Sequence, residues 1–237
     1  MNSLTINSLR KSKHSALTTT LLLATLLFAT RIASAQQLQQ GVSVQMVTTT
    51  AAAPMPDADN QDAWIVAVTA DGTTYFGIDP VNPSNLADAM KSRLHHRDQK
   101  LYIKADARAP FAGVQRILEA GRAASFEAPV LLTSQPAPGS SVAPQGLEVL
   151  LAPSSSFEQP TIVQVTGSPQ QALTLRVDGR QIPWANLRNL LVQVFQSRPE
   201  KAVLVKADGA LTFADVAHVI DTCHSAGAKV ILATPTL

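Results

Sequence analysis

The chain is poor in cysteine, aromatics and charge. Of its 237 residues one is Cys, 5% are aromatic and 15% are charged. The single cysteine, Cys223, excludes an intramolecular disulfide and any cysteine-rich zinc module. Gly and Pro are too few for a collagen-like chain, and 46% apolar content is too high for disorder throughout. No unbroken apolar run reaches the roughly 20 residues of a membrane span, which excludes a multi-span membrane protein. There is no Gly-x-Ser-x-Gly elbow, phosphate loop, dinucleotide fingerprint or zinc spacing. The residues therefore read as non-enzymatic, with no cofactor and no metal.

The charge is uneven. The formal net charge is +2, yet residues 1–35 carry Arg10, Lys11, Lys13 and Arg31 and no acid. Without those four the chain has 15 bases against 17 acids, a balance of −2. A near-neutral body gives no electrostatic case for nucleic acid. The first 35 residues read as an export leader. A basic start precedes the apolar run 16–30 (ALTTTLLLATLLFAT), then Ala33-Ser34-Ala35 as a cleavage site. The length favours cleavage before Gln36. Arg31 beside the run keeps open an uncleaved inner-membrane anchor. Either way the body is expected in the periplasm.

What remains is a tandem repeat. Residues 101–121 (LYIKADARAPFAGVQRILEAG) match residues 203–223 (VLVKADGALTFADVAHVIDTC) at an offset of 102 without a gap. Lys104-Ala105-Asp106 recurs as Lys206-Ala207-Asp208, and Phe111, Ala112 and Val114 as Phe213, Ala214 and Val216. The expected domains are 41–134 and 146–237. The connector 135–145 (QPAPGSSVAPQ) is read as stiff but unfolded. A similar stretch, 48–62, interrupts copy one, and its counterpart 153–160 is shorter.

Each copy reads as strand, hairpin, helix, strand, helix, strand. In copy one the strands are 42–47, 64–69, 73–78, 101–104 and 130–133, with Asp71-Gly72 as the hairpin turn. The helices are 84–96, capped by Ser84, and 110–123, with Pro110 in the first turn. Copy two has strands 161–166, 173–177, 202–206 and 230–233 and helices 184–196 and 213–225. The fold class is α/β (α+β): two small mixed sheets, each with two helices on one face. Gly227 stands where a left-handed helix end belongs, and Ser125 in its place predicts a different end in copy one.

Residues 205–232 (VKADGALTFADVAHVIDTCHSAGAKVIL) resemble the periplasmic domain of the ExbD/TolR family of biopolymer transport proteins. An apolar strand ends in Ala207-Asp208, Phe213 opens a helix, and Ala226-Gly227 precedes a closing strand. Residues 75–81 (YFGIDPV) resemble the family's strand-to-helix segment. Residues 41–47 and 146–152 resemble its first strand. The resemblance implies a cell-envelope role in energy-coupled transport or envelope integrity. It implies partners of three kinds: an ExbB/TolQ-like channel protein, a TonB/TolA-like transducer, or peptidoglycan. It also implies a homodimer, or a pseudo-dimer within the chain. Family members carry an Asp in their membrane helix for proton coupling. The run 16–30 has no acid, so that role does not transfer. A free periplasmic adaptor that kept only the fold is the rival reading.

The polar candidates are Lys104, Asp106, Lys206 and Asp208, which would line a ligand or partner groove at the strand ends. The plainer reading is an Asp that caps the next turn beside a solvated Lys, and it is favoured. A hydrolase or small-ligand binder built on these residues is the third reading. His95-His96 point about 100° apart on a helix and suit a helix end better than a metal. His218 and His224 share no ligating spacing. Cys223 falls on the core stripe. Trp64 and Trp184 occupy different positions in the two copies, as core or interface.

Overall fold

The computed structural model describes residues 42–93, 99–134, 144–152, 159–168 and 171–234. The leader, the connector 135–143 and His95-His96 lie outside them. So do residues 94–98, where the reading of a helix to 96 falls. No helix among the described residues is long and apolar enough to cross a membrane.

Copy one builds a seven-stranded sheet. Its parallel centre is β2 (Trp64–Val68), β5 (Leu101–Ala105) and β6 (Val130–Thr133). The hairpin β2–β3 (Thr74–Phe76) continues into β4 (Asp79–Pro80) at one edge. Copy two repeats this in six strands. Parallel β9 (Thr161–Ser168), β12 (Ala202–Ala207) and β13 (Lys229–Leu232) form the centre. Antiparallel β10 (Gln171–Val177) and β11 (Arg180–Ile182) form the edge. The turn into β11 has positive φ at both Asp178 (47°) and Gly179 (82°). That is the primed turn whose twist suits a hairpin.

The helices follow the apolar spacing. Copy one has α1 (Leu86–Lys91) and α2 (Phe111–Ala123), and copy two has α3 (Leu187–Gln196) and α4 (Phe213–Ser225). The helix expected from Ser84 begins later. Residues Pro83–Asn85 form a 3-10 turn, and the side chain of Asn82, not Ser84, accepts the Ser84 N–H at 3.0 Å. Asn82 precedes a proline, which holds it extended and frees its side chain to cap. The third strand stops at Phe76 because Gly77 turns at φ 66°.

Residues 42–47 do not form a strand. Their faces alternate, but their partners are loops and strand ends: the Gln45 carbonyl accepts the Ala107 N–H and the Val47 carbonyl accepts the Ser134 N–H, both at 2.8 Å. Alternation reports two environments, not a ladder partner. The first strand of copy two also departs from expectation. It splits into β7 (Gln145–Glu148), antiparallel to β6 of copy one, and β8 (Leu150–Leu151), parallel to β13 of its own copy. Gly146 makes the β6–β7 contact possible, since a Cβ there would lie 2.3 Å from a Val130 methyl. On its outer side β7 pairs with β1 (Ala53–Pro54).

The stretch 48–62 is ordered, not a featureless connector. It crosses the outer face of the first sheet as a strap. Met46, Met55 and Ala58 pack on Ile65, Tyr102, Val130 and Leu132. The opposite face joins α1 and α2 in the main core, which runs on into copy two. Helices therefore cover one face of the first sheet and the strap covers the other. The outer face of the second sheet keeps half-buried Ile162, Gln164 and Leu204 and exposed Arg176 and Lys206.

Candidate functional site

The repeated Lys-Ala-Asp segments lead into two loops, and these loops meet. The Phe111 N–H donates to the Leu211 carbonyl at 2.8 Å, and the Phe213 N–H to the Ala109 carbonyl at 2.8 Å. The Ala112 N–H reaches Gly209 O at 3.0 Å, and the Ala214 N–H reaches Ala107 O at 3.0 Å. Every bond has its mate at the repeat offset, so the seam is self-complementary, as in a two-fold dimer. The chemistry has a simple cause. The first N–H groups of a helix have no partner within it. Here the first two of α2 and of α4 are each satisfied by the other copy's loop. Phe111 and Phe213 are buried beneath the seam.

Small residues let the backbones approach. A Cβ on Gly209 would lie 3.0 Å from both the Ala112 Cβ and the Gln115 Oε1. The buried Gln115 amide donates to Ala207 O at 3.3 Å. The copies thus dock neither face to face nor by sheet edges alone. They join through paired loops, facing helices α2 and α4, and the exchanged β7.

The four polar candidates divide by copy. Asp106 lies buried in the loop before α2. It accepts the Gln45 N–H, the Arg108 N–H and two Arg108 guanidinium N–H groups, at 2.9–3.1 Å. The guanidinium bonds hold its carboxyl down at about 2, and burial opposes them less strongly. Asp208 is exposed and accepts the Gly167 N–H at 3.3 Å. Lys104 lies under the strap, 5% exposed, where desolvation lowers its pKa. Lys206 stands in solvent. Among the described residues no ion pair joins a Lys of one segment to its Asp. Sequence placed all four at strand ends. It gave no sign that identical triplets would meet such different surroundings.

Asp221 is an internal latch the sequence did not reveal. Nearly buried on α4 of copy two, its carboxylate accepts the N–H groups of Thr50 and Ala51 and the Thr50 hydroxyl, at 2.7–3.1 Å. It therefore ties the strap of copy one to a helix of copy two. An acid beside the apolar stripe was the available signal, and its partner lies about 170 residues away. His224, one turn on, meets the Glu148 carbonyl of β7 at 2.9 Å through Nε2. Cys223 is fully buried, and burial pushes its thiol up to about 12, so no thiolate forms near neutrality. Trp64 is core, stacked obliquely between Phe76 and Phe126 at 5.4 Å, whereas Trp184 is half-buried at the start of a 3-10 turn.

The helix ends correct one expectation. Ser125 adopts φ 70° and Gly227 φ 81°. Both close a Schellman motif, with Phe126 N–H to Gly121 O at 2.9 Å and Ala228 N–H to Cys223 O at 3.1 Å. The ends are alike, and copy one holds a serine in a left-handed conformation to achieve it.

A family model described as "Biopolymer transport protein ExbD/TolR" matches this chain twice, over residues 18–136 and 139–236. No curated protein and no solved structure matches significantly.

Proposed function

The chain belongs to the ExbD/TolR family, and from that premise we propose that it acts outside the cytoplasm as a pre-assembled, partner-binding pair of periplasmic domains. The family places it in envelope biopolymer transport or envelope integrity. The observation that carries the finer reading is the reciprocal seam. Two family matches in one chain satisfy each other's helix N-termini, so the chain supplies its own dimer. Its partner is a TonB/TolA-like transducer, the outer part of an ExbB/TolQ-like channel protein, or peptidoglycan. It works without a proton-coupling acid of its own, because the run 16–30 contains none. The first match begins at residue 18, inside that run, which supports an anchor equivalent to the family's span. The missing acid supports the rival, a free periplasmic adaptor.

Two measurements test this. Affinity capture of the full chain from native envelopes should enrich a transducer-type or channel-type component, or peptidoglycan fragments. Recovery of none of the three, in envelopes where all are present, would sink the partner reading. Intact mass from washed membranes and from soluble periplasm separates anchor from adaptor. Retained residues 1–35 support the anchor, and a soluble species starting at Gln36 supports the adaptor.

A further inference from the structure

Among the described residues one large apolar side chain stands well clear of the fold. Ile78 is 74% exposed, against 37% for Val192. It is the second residue of the tight turn between β3 and β4, since Phe76 pairs with Asp79. Gly77 takes the positive φ that the first turn position needs. β4 then ends its sheet, with no described strand on its outer side. A lone exposed isoleucine is ordinary. This one is informative because of a pocket at the matching edge of copy two.

Where β11 ends the second sheet, an open pocket of about 450 Å³ lies against the hairpin. Leu173 and Leu175 of β10, Ile182 of β11, and Pro183 and Trp184 beyond it form the walls, with Gln181 the polar member. Leu173, Ile182 and Trp184 are only half-buried, so apolar surface stays open there. The volume falls within the roughly 300–1,000 Å³ of binding pockets and admits a branched aliphatic side chain. Counted from its own turn, copy one has the smaller Thr74, Val81 and Pro83 where copy two has Leu175, Ile182 and Trp184. Copy two in turn has Gly179 where copy one has Ile78. The knob therefore belongs to one copy and the pocket to the other.

Their rims are opposite in charge. Asp79 follows Ile78 and Asp88 stands on α1, both exposed. Lys91 closes α1, and Arg93 is turned over the Phe76 ring. Around the pocket, β10, β11 and α3 carry exposed Arg176, Arg180 and Arg188 and no acid. Asp178, in the turn between β10 and β11, is already engaged by Arg198 and by the Ile162 N–H. Arg180 shares a strand face with Ile182. Asp79 and Arg180 are the matched residues, the first after each turn. Charges so arranged steer two surfaces together and fix their register. We propose that Ile78 of one chain inserts into the Leu173, Ile182 and Trp184 pocket of a second copy of this chain, with Asp79 set against Arg180 at the rim. The two surfaces differ, so the contact is heterologous and builds closed rings or open files of chains. The proposal stands apart from the identity of any envelope partner.

The test is sedimentation velocity of the full chain in a mild detergent, at up to about 0.5 mM, the scale of a weak contact. The leader is common to every variant, so differences between variants report the two edges. We expect the average size to grow with concentration and to shrink as salt rises from about 50 to about 500 mM, because exposed charges are screened. Ile78→Ser should weaken association about tenfold or more, the equivalent of about 1.4 kcal/mol. Arg180→Glu, at an exposed residue outside the core, should weaken it by a similar factor. The decisive sample is a mixture, taken where the unaltered chain is half associated. Ile78→Ser keeps its pocket and Arg180→Glu keeps its knob. An equal mixture should therefore gain one contact per pair and stop there, while neither variant alone gains any. Unchanged melting temperatures in both variants exclude unfolding as the cause. An unaltered chain that does not associate at about 0.5 mM and low salt, whether or not another protein fills the pocket, would overturn the proposal. So would variants that associate like the unaltered chain, or a mixture no larger than its components.

Discussion

The two copies share a sheet order, a helix pattern and a seam, yet they solve two local problems differently. Helix α4 opens with a full capping box, Thr212 and Asp215 bonding each other's backbone. Helix α2 opens with Pro110 and has Gly113 at the matching third position, so it has no side-chain cap. Its start rests on the seam alone. The second difference is the strap. Copy one has it, and its outer sheet face, with Lys104, is buried. Copy two has the shorter counterpart, and Lys206 at the same position is exposed. Similar sequences fold alike where contacts are internal to a copy. They diverge where one copy receives chain from elsewhere.

The largest test of that contrast is Asp221→Ala, set beside Glu119→Ala at the matching position of α2. Glu119 is half-exposed and makes no side-chain bond among the described residues. Loss of the Asp221 latch removes the bonds of three strap donors to a carboxylate and should cost about 1.5–3 kcal/mol, since bonds to a charged group contribute about that much each and do not sum, and water can reach the exposed Thr50. Glu119→Ala should stay within about 0.5 kcal/mol. Urea midpoints of the two variants check it, and equal effects would refute a role for the strap in stability. Next is Gly146→Ala. Its Cβ would meet Val130 and Met55, and overpacking of this kind costs about 1–3 kcal/mol. Amide exchange should quicken along β6 and β7 and not along β13.

A third test is acid. The folded pKa of Asp106 is depressed to about 2 from an ordinary 3.8. Its stabilisation is present above pH 4 and lost as pH falls from about 4 through 2. Because Arg108 is largely exposed, screening trims this to about 1–2 kcal/mol. Asp106→Asn should flatten the stability profile in that window, and Asp208→Asn should leave it intact. The smallest effect exchanges the helix ends. Ser125→Gly should stabilise by about 0.5–1 kcal/mol and Gly227→Ser should destabilise by as much, because only glycine takes positive φ without strain. Thermal melts that move both ways by similar amounts would establish the two ends as equivalent.

What was legible in the sequence follows the same division. The bounds of α4 were readable residue for residue. Its stripe of Phe213, Val216, Ile220 and Cys223 and its closing Gly227 are local signals, and α2 differed only in treating Pro110 as cap. Strands β6, β12 and β13 were readable to within a residue or two from short apolar runs. Residues 42–47 were misread because alternation names a face and never a partner. The passage of β7 into the other copy's sheet was invisible for the same reason. So was the latch, since nothing near Asp221 points to Thr50. Lys104 and Lys206 carry the same triplet. Only the strap overhead separates their environments, and the strap's path is a tertiary fact.

The reciprocal seam has a consequence for assembly. Two separate chains find each other at a rate and to an extent set by their abundance. Two halves on one chain face an effective concentration fixed by their covalent connection and not by abundance. Pairing is then indifferent to dilution, to expression level and to competition from other chains. The halves are also released from identity. A symmetric pair must offer the same surface twice, while a fused pair can change one side and keep the other, and a single partner then meets it in one orientation only.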